Sequence, residues 1–97
     1  MRLFREKRDR VSAEREVRVS NELGMHARPA AEFVRKASAF RSEIWVVKDE
    51  HRFSATSVID VMRANLECGA TIKLQAHGVD AEEAVTALVQ LLGQLRD

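Results

Sequence analysis

The single proline of the chain, Pro29, limits where a helix can begin. A proline is tolerated in the first turn of a helix, where its missing N–H has no helical partner, but it breaks a helix interior. Apolar residues recur at helical spacing after Pro29, and residues 16–20 before it alternate apolar and polar side chains as a half-buried strand does. The sequence therefore predicts a strand, a sharp turn at Gly24 and a helix that begins at about Ala27.

The residues around this helix start can carry chemistry. His26 falls at or beside the predicted N-cap, and Arg28 follows it closely. A helix N-terminus offers unpaired backbone N–H groups and a partial positive charge, which favour an anion. Since a neutral imidazole is a nucleophile, the pattern predicts a histidine that accepts a phosphoryl group and passes it on. The structural alternatives are a histidine that only caps the helix and a solvated Arg28.

Length and charge limit the class of protein. Ninety-seven residues with 45% hydrophobic side chains allow one domain with one modest core. A formal net charge of +1 argues against a general polyanion-binding protein. The charge is uneven, because six Lys/Arg and three Asp/Glu fall within residues 1–15. We expect residues 1–14 to form a charged N-terminal extension, either a solvated arm or a docking segment, and residues 15–97 to form the domain.

Cysteine and histidine usage argue against disulfides and metal sites. A single cysteine, Cys68, excludes an internal disulfide and is typical of a reducing compartment. His26, His51 and His77 lie far apart, and none stands beside a cysteine or carboxylate at ligand spacing, so we expect no metal.

No apolar run is long enough for a membrane span, and the N-terminus lacks the apolar segment of a signal peptide. We therefore expect a cytoplasmic protein.

Strand and helix patterns follow one another in the order βαββαβα. The predicted strands are residues 15–21, 42–48, 51–54 and 71–76, and the first predicted helix is residues 27–38. A second helix begins near Ser57 and ends at residues 67–69, with Gly69 as a left-handed cap, and a third follows a capping pattern formed by Asp80 and Glu83. This order favours an antiparallel sheet with helices on one face.

The central segment also resembles a known family. The run GMHARPAA at residues 24–31, followed by EFV at residues 32–34, closely resembles the active-site segment of HPr, the histidine-containing phosphocarrier of the bacterial phosphoenolpyruvate-dependent phosphotransferase system. The resemblance extends over about residues 15–95. It implies an α+β fold, an open-faced β-sandwich in which a four-stranded antiparallel sheet carries three helices on one face.

The resemblance also implies a function and partners. It predicts that His26 accepts a phosphoryl group on Nδ1 from enzyme I and passes it to enzyme IIA-type proteins in sugar uptake. Arg28 and the amides of Ala27 and Arg28 would hold the phosphate oxygens. Such a protein is a carrier rather than an enzyme and needs no cofactor. We expect a monomer that binds no nucleic acid.

Ser57 has a structural and a regulatory interpretation. Its hydroxyl can cap the amide of Asp60 at the start of the second helix. In many HPr proteins the aligned serine is phosphorylated by an HPr kinase/phosphorylase. This chain departs from that pattern, because Thr56 replaces a basic residue, Asp60 is acidic, and Ala64-Asn65 replaces a more apolar pair that ends in glycine. We expect Ser57 to be mainly a helix cap.

Apolar residues beyond those needed for a core predict a docking surface for partners. The candidates are Met25, Val58, Ile59 and Met62. Packing in the core is the alternative for Ile59 and Met62.

Two other functions remain open at this stage. A regulatory relative that acts in nitrogen or carbon signalling through its phosphorylation state would use the same histidine. A nucleic-acid or scaffold module would use the basic arm, although Trp45 is the only strong candidate for base stacking on the sheet.

Overall fold

The computed structural model describes residues 11–20 and 26–95. Its elements are β1 (Ser12–Arg18), α1 (Ala27–Ser38), β2 (Glu43–Lys48), β3 (His51–Ser54), α2 (Val58–Arg63), β4 (Thr71–His77) and α3 (Ala81–Gln94). The strands form one antiparallel sheet in the order β1-β4-β2-β3. The predicted βαββαβα order and the open-faced β-sandwich with three helices are confirmed. Within the described residues, no helix is long and apolar enough to cross a membrane.

The core lies between the helices and one face of the sheet, as strand alternation predicts. Its members come from every layer: Ile44, Val46, Ile72, Leu74 and Ala76 from the strands, and Ala30, Phe33, Ala37, Val61, Ala84, Val85, Leu88 and Leu92 from the helices. The other face is mostly polar and exposed, with Trp45 and Val47 as half-buried apolar residues. There the guanidinium of Arg52 lies 3.9 Å from the ring centre of Trp45, so that aromatic face is already covered by a cation.

The first strand lies three residues earlier than predicted, at Ser12–Arg18 instead of residues 15–21. Its register against β4 pairs Ser12 with His77 and Arg18 with Thr71. Charged side chains are tolerated because β1 is an edge strand with one face open to solvent. The strand therefore begins inside the segment predicted as an extension, and residues 1–10 of that segment lie outside the described residues.

A two-residue turn connects β2 and β3 without glycine. Asp49 and Glu50 have φ values of 52° and 69°, and the ladder closes on the pair Lys48 and His51. Positive φ at both central residues is typical of the type I′ turn, whose twist matches that of a hairpin. The two residues left between the predicted strands 42–48 and 51–54 thus form a tight turn, which holds two L-residues in a left-handed conformation.

The second helix is shorter than predicted. It ends at Arg63, and the left-handed residue that follows is Asn65, with φ 55°, rather than Gly69. Asparagine tolerates this conformation better than most residues. The ammonium group of Lys48 donates to the carbonyls of Ala64 and Asn65 at 3.1 and 2.5 Å, which satisfies carbonyls at the helix end. Gly69, with φ 93°, instead turns the chain towards β4.

The third helix begins after Asp80, but not with the predicted capping bond. The carboxylate of Asp80 accepts hydrogen bonds from the backbone N–H groups of Arg41 and Ser42, both at 2.9 Å, and from the Ser42 hydroxyl at 2.6 Å. Gly78 makes this approach feasible, because a Cβ there would lie 2.6 Å from Ser42 Oγ and 2.7 Å from Ser42 Cα. The carboxylate thus joins the loop after α1 to the start of α3.

Candidate functional site

His26 occupies the N-cap of α1 with an extended backbone, φ −86° and ψ −172°. Its carbonyl accepts the first helical hydrogen bond, from the N–H of Ala30 at 2.7 Å. Its exposed imidazole makes no capping bond to the helix. Among the described residues, the backbone of His26 therefore takes part in the helix start, and its exposed side chain is left without a capping partner.

The first turn of α1 presents positive character to solvent. The N–H groups of Ala27 and Arg28 precede the first helical donor, Ala30, and Pro29 has no N–H. No acidic residue stands in this turn. Arg28 is exposed, and among the described residues it takes part in no ion pair. Two backbone donors and one guanidinium are thus available to an anion next to the imidazole.

Ser57 is the N-cap of α2, and the predicted capping bond is present. Its hydroxyl accepts from the N–H of Asp60 at 3.2 Å. The Asp60 carboxylate accepts from the N–H of Ser54 at 3.2 Å and lies 3.8 Å from the Arg63 guanidinium. The acid therefore completes the cap by reaching back to β3, and the Ser57 hydroxyl already has a structural role.

Helix α2 carries three exposed apolar side chains. Val58, Ile59 and Met62 are 36%, 72% and 43% exposed, whereas Val61 of the same helix is fully buried. The alternative that Ile59 and Met62 pack in the core is thus wrong. Helices α1 and α2 pack against each other on the same face of the sheet. Met25, the fourth residue predicted for this surface, lies outside the described residues.

The remaining histidines and the cysteine lie at the surface. Nδ1 of His77 is 2.8 Å from the Ser12 hydroxyl, and Nδ1 of His51 is 3.0 Å from the Asp49 carbonyl. Cys68 is an exposed free thiol. In the part of the chain that the structure describes, no group of three His, Cys, Asp or Glu residues is placed to hold a metal ion.

Sequence reasoning missed the groups that fix the helices around this site. Lys48 binds the end of α2 from β2, and Asp80 binds Ser42 from the start of α3. Neither pairing has a local signal, because the partners are separated by 16 to 17 and by 38 residues, respectively. The glycine at position 78 is consistent with the close approach of Asp80 to Ser42, but a glycine there is equally typical of an ordinary turn.

A protein-family model described as the PTS HPr component phosphorylation site matches residues 13–94. The chain belongs to the HPr family. The phosphocarrier protein HPr of Neisseria meningitidis serogroup A is 37% identical over 76 residues, which cover 78% of this chain and 85% of that protein. The HPr of Treponema pallidum is 43% identical over 75 residues, which cover 77% of this chain and 85% of that protein. The chain is accordingly a phosphocarrier of the phosphotransferase system rather than an enzyme.

Solved HPr structures share the fold. HPr from Thermoanaerobacter tengcongensis superposes with a TM-score of 0.82 at 44% identity, covering 84% of this chain and 92% of that one. A structure described as an HPr dimer from the same organism gives a TM-score of 0.68 at 45% identity, covering 80% and 90%. Since HPr structures include a dimer, the expected monomer stays a prediction. The HPr-like protein Crh of Halalkalibacterium halodurans is 39% identical over 79 residues, which cover 81% of this chain and 94% of that protein.

Proposed function

We propose that His26 is the residue of this phosphocarrier that receives and releases the phosphoryl group. The observation that carries the proposal is an exposed imidazole at the N-cap of α1 that makes no capping bond. The next two N–H groups, of Ala27 and Arg28, have no helical partner. A phosphoryl group on this ring would find backbone donors, a helix dipole and the charge of Arg28 close by.

The chemistry needs little beyond this arrangement. A neutral imidazole with its proton on Nε2 has a lone pair on Nδ1, which forms a bond to phosphorus as the donor's bond to phosphorus breaks. Charge on the transferred oxygens is stabilised by the Ala27 and Arg28 amides and by the Arg28 guanidinium. The same steps in reverse deliver the group to an acceptor. Because the ring is exposed, a donor or acceptor protein can reach it directly.

Family membership and the exposed apolar surface of α2 support the proposed partners. Enzyme I charged by phosphoenolpyruvate is the proposed donor, and enzyme IIA-type proteins are the proposed acceptors. Val58, Ile59 and Met62, with Met25, are the proposed docking residues, since three of them are exposed apolar side chains on a helix that packs against α1. We also propose a cytoplasmic location and a monomeric carrier, as expected for such a relay.

The decisive experiment is phosphorylation in vitro. The full chain is incubated with enzyme I and phosphoenolpyruvate and analysed by mass spectrometry. We expect a gain of about 80 Da, the mass of one phosphoryl group, that is lost in acid. His26→Ala should not gain this mass, whereas His51→Ala, which removes an exposed imidazole in the β2–β3 turn, should behave like the parent. An acid-labile phosphate on His26→Ala would show that the assignment is wrong.

A regulatory role is the second candidate, favoured by the similarity to Crh proteins, one of which is described as the catabolite repression HPr of Bacillus subtilis. It would use the same chain in signalling through its phosphorylation state. The phosphorylated chain separates the two roles when it is mixed with enzyme IIA-type proteins, because a transport carrier loses its phosphoryl group to them. Phosphorylation of Ser57 by an HPr kinase/phosphorylase is a further regulatory hypothesis, and it would act on a hydroxyl that already caps α2.

A further inference from the structure

An open groove lies beside α3 at the edge of the sheet, and none of its lining residues belongs to the candidate site described above. It has a volume of about 720 Å³. Its walls are the exposed side of α3 and the residues that flank its start: Val11, Val79, Glu82, Glu83, Thr86, Ala87 and Gln90. Val79 is 52% exposed, so the described part of the chain leaves an apolar side chain of the groove largely uncovered.

The groove is acidic on its α3 side. Glu82 and Glu83 lie in the first turn of α3, and among the described residues neither takes part in an ion pair. A smaller adjoining pocket shares Glu82 and Thr86 and contains Glu14 and Arg15 from β1. The strand side therefore carries both signs of charge, whereas the helix side offers two carboxylates next to apolar surface.

The chain itself leads into this groove. Val11, the first described residue, lines it, and the Val11 carbonyl accepts from the N–H of Gly78 at 2.8 Å. This bond fixes the point where the preceding segment meets the domain, directly beside Val79. Residues 1–10 contain five Lys/Arg and two Asp/Glu, a charge of +3, together with the apolar pair Leu3 and Phe4.

We propose that this groove is the docking surface of the N-terminal segment, residues 1–10, of the same chain. The basic side chains would pair with Glu82 and Glu83, and Leu3 and Phe4 would cover Val79. Ten residues can span about 33 Å when extended, and the fourteen residues of α3 span about 21 Å, so the segment is long enough to follow the groove. Tethering at Val11 gives the segment a high effective concentration there that a separate basic peptide lacks.

Paramagnetic broadening in the full chain tests the proposal. A nitroxide is attached to the variant Glu6→Cys/Cys68→Ser, which keeps every basic and apolar residue of the segment, and ¹⁵N amide signals are compared with the label oxidised and reduced. We expect loss of signal intensity at Thr86, Ala87 and Gln90, with intensity retained in β3. Raising the salt to about 1 M, where the Debye length is about 3 Å, should restore much of the lost intensity.

The groove's carboxylates provide the matched comparison. Because tethering alone keeps the label near Val11, the decisive measurement is the change on adding Glu82→Gln/Glu83→Gln, which should recover the Gln90 signal. Glu43→Gln/Glu67→Gln removes the same charge from exposed acids elsewhere and should not. Equal broadening in both double variants, or uniform broadening over the surface, would overturn the proposal. So would broadening that appears only when spin-labelled and ¹⁵N-labelled chains are mixed, which would assign the groove to a second copy.

Discussion

The carboxylate of Asp80 binds Ser42 twice, through the backbone N–H at 2.9 Å and through the hydroxyl at 2.6 Å. Ser42 is 6% exposed and is the one polar residue that is buried in the described part of the chain. These bonds, with the N–H of Arg41, lower the pKa of Asp80 below its ordinary value, the Ser42 hydroxyl being the largest cause. The ionised carboxylate is thus part of the connection between α1 and α3.

This connection predicts a pH dependence of folding. Because the pKa of Asp80 is lower in the folded chain, its contribution is fully present above the unfolded pKa of about 3.9 and is lost as pH falls through the folded value. Chemical denaturation at a series of pH values should show this loss below about pH 4. Asp80→Asn should be less stable at neutral pH and lose less stability on acidification. A parent-like slope in Asp80→Asn would contradict the prediction.

The β2–β3 turn can be improved. Glu50 has φ 69°, a conformation that costs an L-residue about 1–2 kcal/mol and costs glycine little. Part of this gain is offset by the extra freedom of glycine in the unfolded chain, so Glu50→Gly should stabilise the fold by up to about 1 kcal/mol. Glu50→Ala removes the same side chain but keeps Cβ, and it should give no gain. Thermal unfolding of the parent, Glu50→Gly and Glu50→Ala tests this prediction. An equal gain in Glu50→Ala would show that the stabilisation comes from removing the Glu50 side chain and not from relieving the backbone conformation.

Ser57 separates a capping role from a regulatory one. Its hydroxyl accepts the Asp60 N–H at 3.2 Å, so Ser57→Ala should lose about 0.5–2 kcal/mol of stability and Ser57→Asp should retain it. A regulatory role predicts that Ser57→Asp slows phosphoryl transfer from enzyme I several-fold while Ser57→Ala does not. We expect transfer rates close to the parent in both variants. A stable Ser57→Ala combined with a blocked Ser57→Asp would reinstate the switch.

Ile59 tests the proposed docking surface. Its side chain is 72% exposed, so Ile59→Glu should leave the melting temperature almost unchanged. It should weaken binding to enzyme I, because a charge replaces apolar contact area at the interface. Val79→Glu is the control, since it also places a charge on an exposed apolar residue. Val79 precedes Asp80, which binds the loop after α1, at the opposite end of that helix from His26. This variant should therefore bind enzyme I as the parent does. Unchanged affinity of Ile59→Glu would remove this residue from the docking surface.

Local patterns in the sequence predicted most of the fold. Pro29 placed the start of α1, and alternation in β4 separated buried Ile72 and Leu74 from the solvent face. The errors fell where contacts distant in sequence decide. The first strand begins early because Ser12 pairs with β4. The second helix ends before Glu67, at a point where Lys48 binds the carbonyls that follow the helix. No spacing rule links residues that only the folded chain brings together.

In the candidate site, too, local features could be predicted from the sequence, whereas features set by contacts distant in sequence could not. The N-cap position of His26, with Arg28 two residues later, could be predicted because a proline and a helical pattern are local features. The exposure of Ile59 and Met62 could be predicted only in part, since α2 has apolar residues over a wide arc and the packing against α1 decides which are buried. Met25 lies outside the described residues, so its place on this surface stays a prediction.

Helix α2 is six residues long, shorter than a helix that persists alone in water, yet both of its ends are held by side chains. Ser57 and Asp60 bind amides at one end, and Lys48 binds carbonyls at the other. The backbone beneath Ile59 and Met62 is therefore ordered before any partner arrives. A protein that docks on α2 therefore restricts side-chain rotamers on a helix that is already formed. Its association carries a smaller loss of conformational entropy than docking on a segment that folds on binding, and its heat-capacity change reflects the apolar area buried rather than folding.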